Sequence, residues 1–274
     1  MAAACCLGGS SKSFLSLQRL QKYEFGTALS YKEDYGHFGS AGLIEPGEIH
    51  RTFQMMMGGA TRLHPDWQIH AFAPLVSQFK SYGARQDSSL GLGDVMLGVE
   101  WTALEALFTS DWYPTVRVQT GLKLPTGSVE KKIGGTWTPG TGNGMWEPYA
   151  SLAFEKKLGQ FTLGLRGGFT GRFSSGDKLG PQLDLSETVA YNFTPRFSLA
   201  VGSTQWWNGN SNVSGKTIAD SGGSAITAFV QPTYFLDRTW SVSLAADFSV
   251  PQNGWSRNTP ATQSVSLITR YGLF

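Results

Sequence analysis

The stretch from Arg238 to Pro251 reads RTWSVSLAADFSVP and keeps a two-residue rhythm from end to end. Trp240, Val242, Leu244, Ala246, Phe248 and Val250 share one parity, while Ser241, Ser243, Ala245, Asp247 and Ser249 share the other. Side chains on a strand alternate between faces, so this segment carries one apolar surface and one small, polar surface. The apolar face must meet either a protein core or lipid.

The same rhythm recurs along the chain and predicts strands near 22–33, 49–63, 67–82, 91–102, 113–125, 146–157, 161–173, 182–193, 197–208, 224–236, 240–250 and 262–274. The connections decide between core and lipid. Short turns fall at HPD (64–66), LGQ (158–160), TPR (194–196) and DR (237–238), with a longer one near 103–112. Between them lie long polar loops at 34–48, 83–90, 126–145, 174–181, 209–223 and 251–261. A soluble sandwich has no reason to sort its loops in strict alternation, whereas an up-and-down outer-membrane barrel has short periplasmic turns and longer external loops. The expected fold is therefore all-β, a transmembrane antiparallel up-and-down barrel of about 12 strands over residues 22–274, preceded by an N-terminal segment at 1–21. The even strand count puts both chain ends on the periplasmic side of a Gram-negative outer membrane.

Composition agrees. Only 15% of the 274 residues are charged, against about a quarter in soluble domains, and no proline-rich or serine-rich linker divides the chain. The 22 basic and 20 acidic residues are dispersed, so no basic face indicates nucleic acid. Runs of about 18 apolar residues are absent, which excludes an ordinary transmembrane helix, but a barrel strand needs only about 9–11 residues with one apolar face. The opening MAAACCLGGSSKSF reads as the remnant of a trimmed leader or, at Cys5 or Cys6, an acylated anchor. Two adjacent cysteines supply neither a disulfide framework nor a four-ligand metal site. In SFLSLQRLQKY, Phe14, Leu15, Leu17 and Leu20 have near-helical spacing, consistent with a short periplasmic helix, a frayed terminus or a plug in the barrel mouth.

Aromatic residues mark two levels. Trp67, Tyr113, Phe161, Phe193, Phe197, Phe235 and Trp240 flank the short turns, and Tyr82, Trp146, Phe173, Trp206, Trp207 and Trp255 lie toward the long loops. Such girdles sit at the two lipid–water interfaces. The chain ends SVSLITRYGLF; its terminal Phe274 resembles the signal read by the outer-membrane assembly machinery, although it falls one residue out of phase with Tyr271.

With the apolar parity facing lipid, the other parity lines the lumen: Glu24, Lys32, Gln54, Arg62, Gln78, Asp94, Glu100, Arg117, Gln119, Lys123, Glu147, Glu155, Arg166, Arg172, Asp184, Asp247 and Arg270. A basic side chain exposed to lipid near the midplane costs about 2–4 kcal/mol, so confinement of charge to one parity tests the register. Glu187 breaks it, sharing the parity of Leu183, Leu185, Val189 and Tyr191, and calls for a bulge or a partner. Twelve strands fall between the side-chain-filled eight and the open sixteen, so the mixed charges either pair and fill the lumen or line a wet path. Arg117, Lys123, Glu147, Glu155, Arg166, Arg172, Asp184, Asp247 and Arg270 are the candidate solute path. Neighbouring strands stand about 4.8 Å apart, which lets the basic residues of strands five and seven and the carboxylates of strand six form a ladder. Strand seven has no inward acid, so Arg166 and Arg172 are the expected solute contacts.

Catalysis has thin support. His37, in EDYGHFGS, lies close in sequence to Asp34 and Ser40, and an aspartate–histidine pair at an outer rim can activate water. GLGDVMLG lacks the strand-to-helix context of a dinucleotide site, and GGTWTPGTGNG lacks the lysine and hydroxyl that grip phosphate and magnesium. No metal-ligand constellation or cofactor motif appears.

Those two stretches carry a resemblance instead. GLGDVMLGVEW (91–101), YPTVRVQTGLKLPTG (113–127), a glycine-rich loop and GMWEPYASLAFEKKLGQFTLGLRGGF (144–169) resemble the outer-membrane transporter family named for the meta pathway of phenol degradation. The matching positions are Gly91, Gly93, Asp94, Pro114, Gly121, Lys123, Pro125, Thr126 and Gly127. The resemblance implies a barrel for uptake of aromatic or other hydrophobic compounds, with no catalytic residues to carry over. The expected function is a passive channel or transporter for small solutes, with outer-membrane lipids and the assembly machinery as partners. A structural or adhesive barrel with a plugged lumen, or a surface hydrolase, is the alternative.

Overall fold

The computed structural model describes residues 17, 21–38, 44–82, 85–105, 113–129, 131–133, 136–174, 178–213, 216–218, 221–251 and 260–274. Twelve wall strands follow in order: β1 Tyr23–Phe38, β2 Ile44–His64, β3 Trp67–Tyr82, β4 in two pieces (Arg85–Leu92 and Met96–Leu104), β5 Thr115–Lys123, β6 Glu147–Leu158, β7 Phe161–Phe173, β8 Lys178–Thr194, β9 Phe197–Asn208, β10 Gly223–Phe235, β11 Trp240–Val250 and β12 Pro260–Leu273. Each pairs antiparallel with its sequence neighbours, and β1 pairs with β12 from Tyr23↔Leu273 to His37↔Pro260. That last pairing closes the barrel, as lipid requires, because a spanning sheet cannot leave backbone polar groups unpaired at an edge.

The two-residue period sorts the side chains. On β11, Trp240, Leu244 and Phe248 are 43%, 50% and 51% exposed toward lipid, while Ser243 and Ala245 are buried toward the lumen. At the short-turn end the outward aromatics touch: Phe161–Tyr191 at 4.8 Å, Tyr191–Phe193 at 4.7 Å, Phe193–Phe197 at 5.6 Å, and Trp240–Tyr271 at 4.7 Å. These contacts join neighbouring strands into a periplasmic girdle. Two expected members differ. Phe235 turns inward onto Ala190, Ala200 and Phe229, leaving Tyr234 on the lipid side. Trp206 pairs with Asp184 and Ala225 and so takes the lumen parity. Trp255 and the side chain of Tyr82 lie outside the described residues.

Several expected loops are strand. β1 runs on to Phe38, β2 begins at Ile44, β4 at Arg85 and β8 at Lys178. Apolar alternation stops where lipid stops, but backbone pairing continues. Outward Glu33 accepts from Arg51 at 2.9 Å and from Gln263 at 3.3 Å, tying β1, β2 and β12 together at their outer ends.

β4 breaks at Gly93–Val95. Opposite the break stands Pro74 of β3, which has no N–H to donate. Leu75↔Leu92 and Phe72↔Met96 leave one extra residue on β4, and Gly93 N bonds Pro74 O at 2.7 Å. The resulting bulge turns Asp94 into the lumen. At Glu187, by contrast, the register is unbroken from Leu183 to Tyr191 on both sides, so the carboxylate faces lipid without a bulge and its partner is the Ser203 hydroxyl at 3.4 Å.

Candidate functional site: the lumen

Two described residues of the N-terminal segment, Leu17 and Gln21, sit inside the barrel near its periplasmic end. Leu17 is buried among the inward residues Ala28, Met56, Ala60, Phe72 and Met96. Its N–H donates to Gln68 Oε1 at 3.0 Å, and Arg62 donates to the carbonyls of Leu17 and Gln21 at 3.4 and 3.1 Å. Gln21 is itself buried and lies against Gly272. Leu17 thus occupies a lumen position, while Phe14, Leu15, Leu20, Cys5 and Cys6 lie outside the described residues.

The charged ladder forms on one wall. Arg117 stands between Glu100 at 3.7 Å and Glu155 at 3.3 Å, joining β4, β5 and β6. Nearer the outside, Lys123 lies 2.7 Å from Glu147 and 3.7 Å from Asp94. Between these levels runs one row of cross-strand partners, His70↔Gly98, Gly98↔Gly121 and Gly121↔Tyr149. A Cβ on Gly98 or Gly121 would collide with the Tyr149 hydroxyl. The two glycines therefore let the tyrosine ring lie along the wall and reach His70 Nε2 at 3.1 Å. Gln119 Nε2 donates to the same nitrogen at 2.9 Å, and Gln119 Oε1 accepts from Arg166 at 2.7 Å. Arg166 Nε also donates to Ser151 Oγ at 3.3 Å.

The loop after β5 folds back as a roof. Asp94 accepts the N–H groups of Gly127 and Asn143, each at 3.0 Å, so one carboxylate holds both limbs of the loop. Thr126 Oγ1 donates to Gly93 O and accepts from Val95 N at 2.8 and 2.9 Å, while Thr141 Oγ1 donates to Leu92 O at 2.7 Å. The Gly91–Asp94 and Pro125–Gly127 motifs are thus two halves of a latch. GGTWTPGTGNG, part of the long polar loop expected at 126–145, is bonded across to Ser128 and Asp94 at Thr141–Asn143.

Beside the latch and the Lys123–Glu147 pair lies a cavity of about 430 Å³, within the range of small-molecule sites. Its lining is apolar on β2, β3 and β4, with Met56, Phe72, Pro74, Val76 and Met96, and charged on β5 to β8, with Lys123, Glu147, Arg166 and Asp184. Of the candidate residues these four line the cavity. Arg117 and Glu155 pair with one another outside its lining. Arg172 bonds Gly180 O and Asn208 Oδ1 at the outer ends of β8 and β9. Asp247, bonded by Ser264 at 2.9 Å, and Arg270, paired in register with Gly26 and Ser241, belong to the wall made by β11, β12 and β1. Sequence reasoning missed the apolar belt. Its signal is that the middle of β3 is apolar on both parities, with Phe72 and Val76 inward as well as Ile69 and Leu75 outward.

At the outer mouth Asp34 meets His50 at 3.3 Å and Lys32 at 3.1 Å, and His50 meets Gln78 at 3.3 Å. Asp34 is therefore engaged by His50; Ser40 and the side chain of His37 lie outside the described residues.

A closed twelve-stranded barrel with an outward apolar band, aromatic girdles and a charged lumen defines an outer-membrane β-barrel protein. Within that class the chain belongs to the family described as "Putative MetA-pathway of phenol degradation", whose profile matches residues 46–268. Among solved structures it is similar to the COG4313 outer membrane channel from Pseudomonas putida F1, with a TM-score of 0.79 at 13% identity over 97% of this chain and 100% of that one. The transport unit of the autotransporter AIDA-I from Escherichia coli matches with a TM-score of 0.56 at 11% identity, over 95% of this chain and 94% of that one. The NanC porin matches at 0.50 and 12%, over 91% and 100%. A sequence comparison with curated proteins finds no match.

Proposed function

We infer that the protein is a passive outer-membrane conduit for small amphipathic solutes, set among outer-membrane lipids and inserted by the barrel-assembly machinery. The observation that carries this reading is the mixed lining of the cavity: Met56, Phe72 and Met96 offer an apolar seat on β2 to β4, and Lys123 and Arg166 bring cations to it from β5 and β7. Small aromatic acids have this combination of a flat apolar body and one anionic group, and the family's description names phenol, which shares the aromatic ring. The solute path runs past Lys123, Glu147, Arg166 and Asp184. Catalysis is no part of this reading, because the Asp34–His50 pair is taken up by Lys32 and Gln78.

Reconstitution into planar bilayers and liposomes, with single-channel current and uptake of small aromatic acids measured together, tests the conduit. Arg166→Ala shifts selectivity toward cations while the barrel stays folded, since removing a positive charge from a confined path changes its potential. The seating of Leu17 and Gln21 favours a second reading, a structural barrel with a plugged lumen. Absence of both current and uptake, even after Leu17→Asp, would establish that second reading. Unchanged selectivity with a sharp loss of thermal stability in Arg166→Ala would support it as well.

A further inference from the structure

Glu187 sits on the outer face of β8, exposed, with Leu165 of β7 on one side and Ser203 of β9 on the other. It lies six residues from Phe193 of the periplasmic girdle. At about 3.3 Å per residue and a tilt of 35–45°, that places it about 15 Å into an apolar band about 25 Å tall. The other outward acid described above, Glu33, is bonded to Arg51 at the strand ends, beyond the band. Among the described residues, the hydrogen bond Glu187 makes inside the band is from the Ser203 hydroxyl at 3.4 Å, too long for a strong charged hydrogen bond. Gln205, two residues farther along β9, adds a second polar side chain to the same face, opposite Leu185 and Ile226. The surroundings are low: Gly167 on β7 has open space where a side chain would be, and Ala228 on β10 adjoins Ser203. A carboxylate beside an amide and a hydroxyl, in a shallow part of a lipid-facing wall, is a polar patch that hydrocarbon cannot solvate.

We propose that this face, centred on Glu187, Ser203 and Gln205, is the contact through which two copies of the chain associate in the membrane. A two-fold axis along the membrane normal preserves depth. Cross-strand partners about 4.8 Å apart on strands tilted 35–45° differ in depth by about 3 Å. Glu187 of one copy therefore meets the Ser203 hydroxyl of the second at nearly its own level, with the Gln205 amide about 5 Å farther out along the same strand, and the reverse pair forms at the same time. The patch supplies both an acceptor and donors, so it is complementary to itself, as an isologous interface must be, and Gly167 and Ala228 let the backbones approach as small residues do in membrane interfaces.

The test is subunit counting by stepwise photobleaching of the fluorescently labelled full chain in outer-membrane vesicles and in lipid nanodiscs. Two steps are expected for the natural protein, and also for Phe53→Leu, an outward-facing change on β2, across the barrel from β8. Glu187→Leu, and separately the double variant Ser203→Ala with Gln205→Leu, should raise the dimer dissociation constant about tenfold or more, with heat-modifiable migration showing that both remain folded. The double variant keeps the carboxylate and removes only its donors, so it decides the matter if Glu187→Leu fails to fold. Single-step bleaching of the natural protein, or two-step bleaching that survives the double variant, would overturn the proposal.

Discussion

Asp94→Asn is expected to unlatch the roof of the cavity without disturbing the wall. The natural carboxylate accepts two backbone N–H groups, from Gly127 and Asn143, each at 3.0 Å, and it also faces Lys123 at 3.7 Å. Asparagine keeps one acceptor oxygen and turns the other into a donor, so one N–H loses its partner and meets an N–H instead. A hydrogen bond to a charged group contributes about 1.5–3 kcal/mol, and at 1.4 kcal/mol per tenfold the open-roof population rises by about 10–150-fold. The remaining clasps, Thr126 to Gly93 and Thr141 to Leu92, are unaffected, so the loop is expected to open in bursts and not to be lost. Single-channel recording in planar bilayers measures this directly, as a higher open probability or a larger conductance than the natural protein. Heat-modifiable migration should persist, since β4 and β5 keep their register from Met96↔Lys123 onward. If current is unchanged in the folded variant, the roof does not limit passage and the latch has no gating role.

Arg117→Ala should destabilise the barrel by about 3–5 kcal/mol, the usual loss when one partner of a buried charge network is removed; Lys123→Ala should cost less because its side chain is 30% exposed against 12% for Arg117, and urea unfolding in detergent compares the two. Gly121→Val forces the Tyr149 ring off the wall and should lower stability by about 1–3 kcal/mol, with loss of the Tyr149–His70 contact visible in the tyrosine fluorescence. In the β10–β11 turn, Asp237 accepts from the Thr239 hydroxyl at 2.7 Å and from the Trp240 and Thr239 N–H groups at 2.7 and 2.6 Å, which holds its carboxyl below the ordinary range. A depressed carboxyl stabilises the turn fully above the unfolded value of about 3.9 and loses that contribution as pH falls through the folded value; a carboxyl titration by NMR that shows a midpoint at or above 3.9 for Asp237 would contradict this geometry.

Strand number, barrel closure and the inward–outward sorting were legible in the linear chain, because a strand has a period of two and lipid penalises every polar residue of the wrong parity. Stretches such as RTWSVSLAADFSVP and the alternation of short and long connections carry that information locally. Glu187 was legible as an exception for the same reason, though its setting required the register of β7, β8 and β9. Beyond the membrane the rule lapses: without lipid, alternation disappears while backbone pairing does not, so the outer parts of β1, β2, β4 and β8 read as loops. Tertiary structure alone decided what meets inside. Leu17 reaches Gln68 across 51 residues, Asp94 reaches Asn143 across 49, and Tyr149 reaches His70 across 79. Contacts of this kind depend on how twelve strands stagger and close. Parity states which side chains enter the lumen, and only the closed register states which of them touch; that is why the ladder of Arg117, Lys123, Glu147 and Glu155 was foreseeable as a wall and the cavity beside it was not.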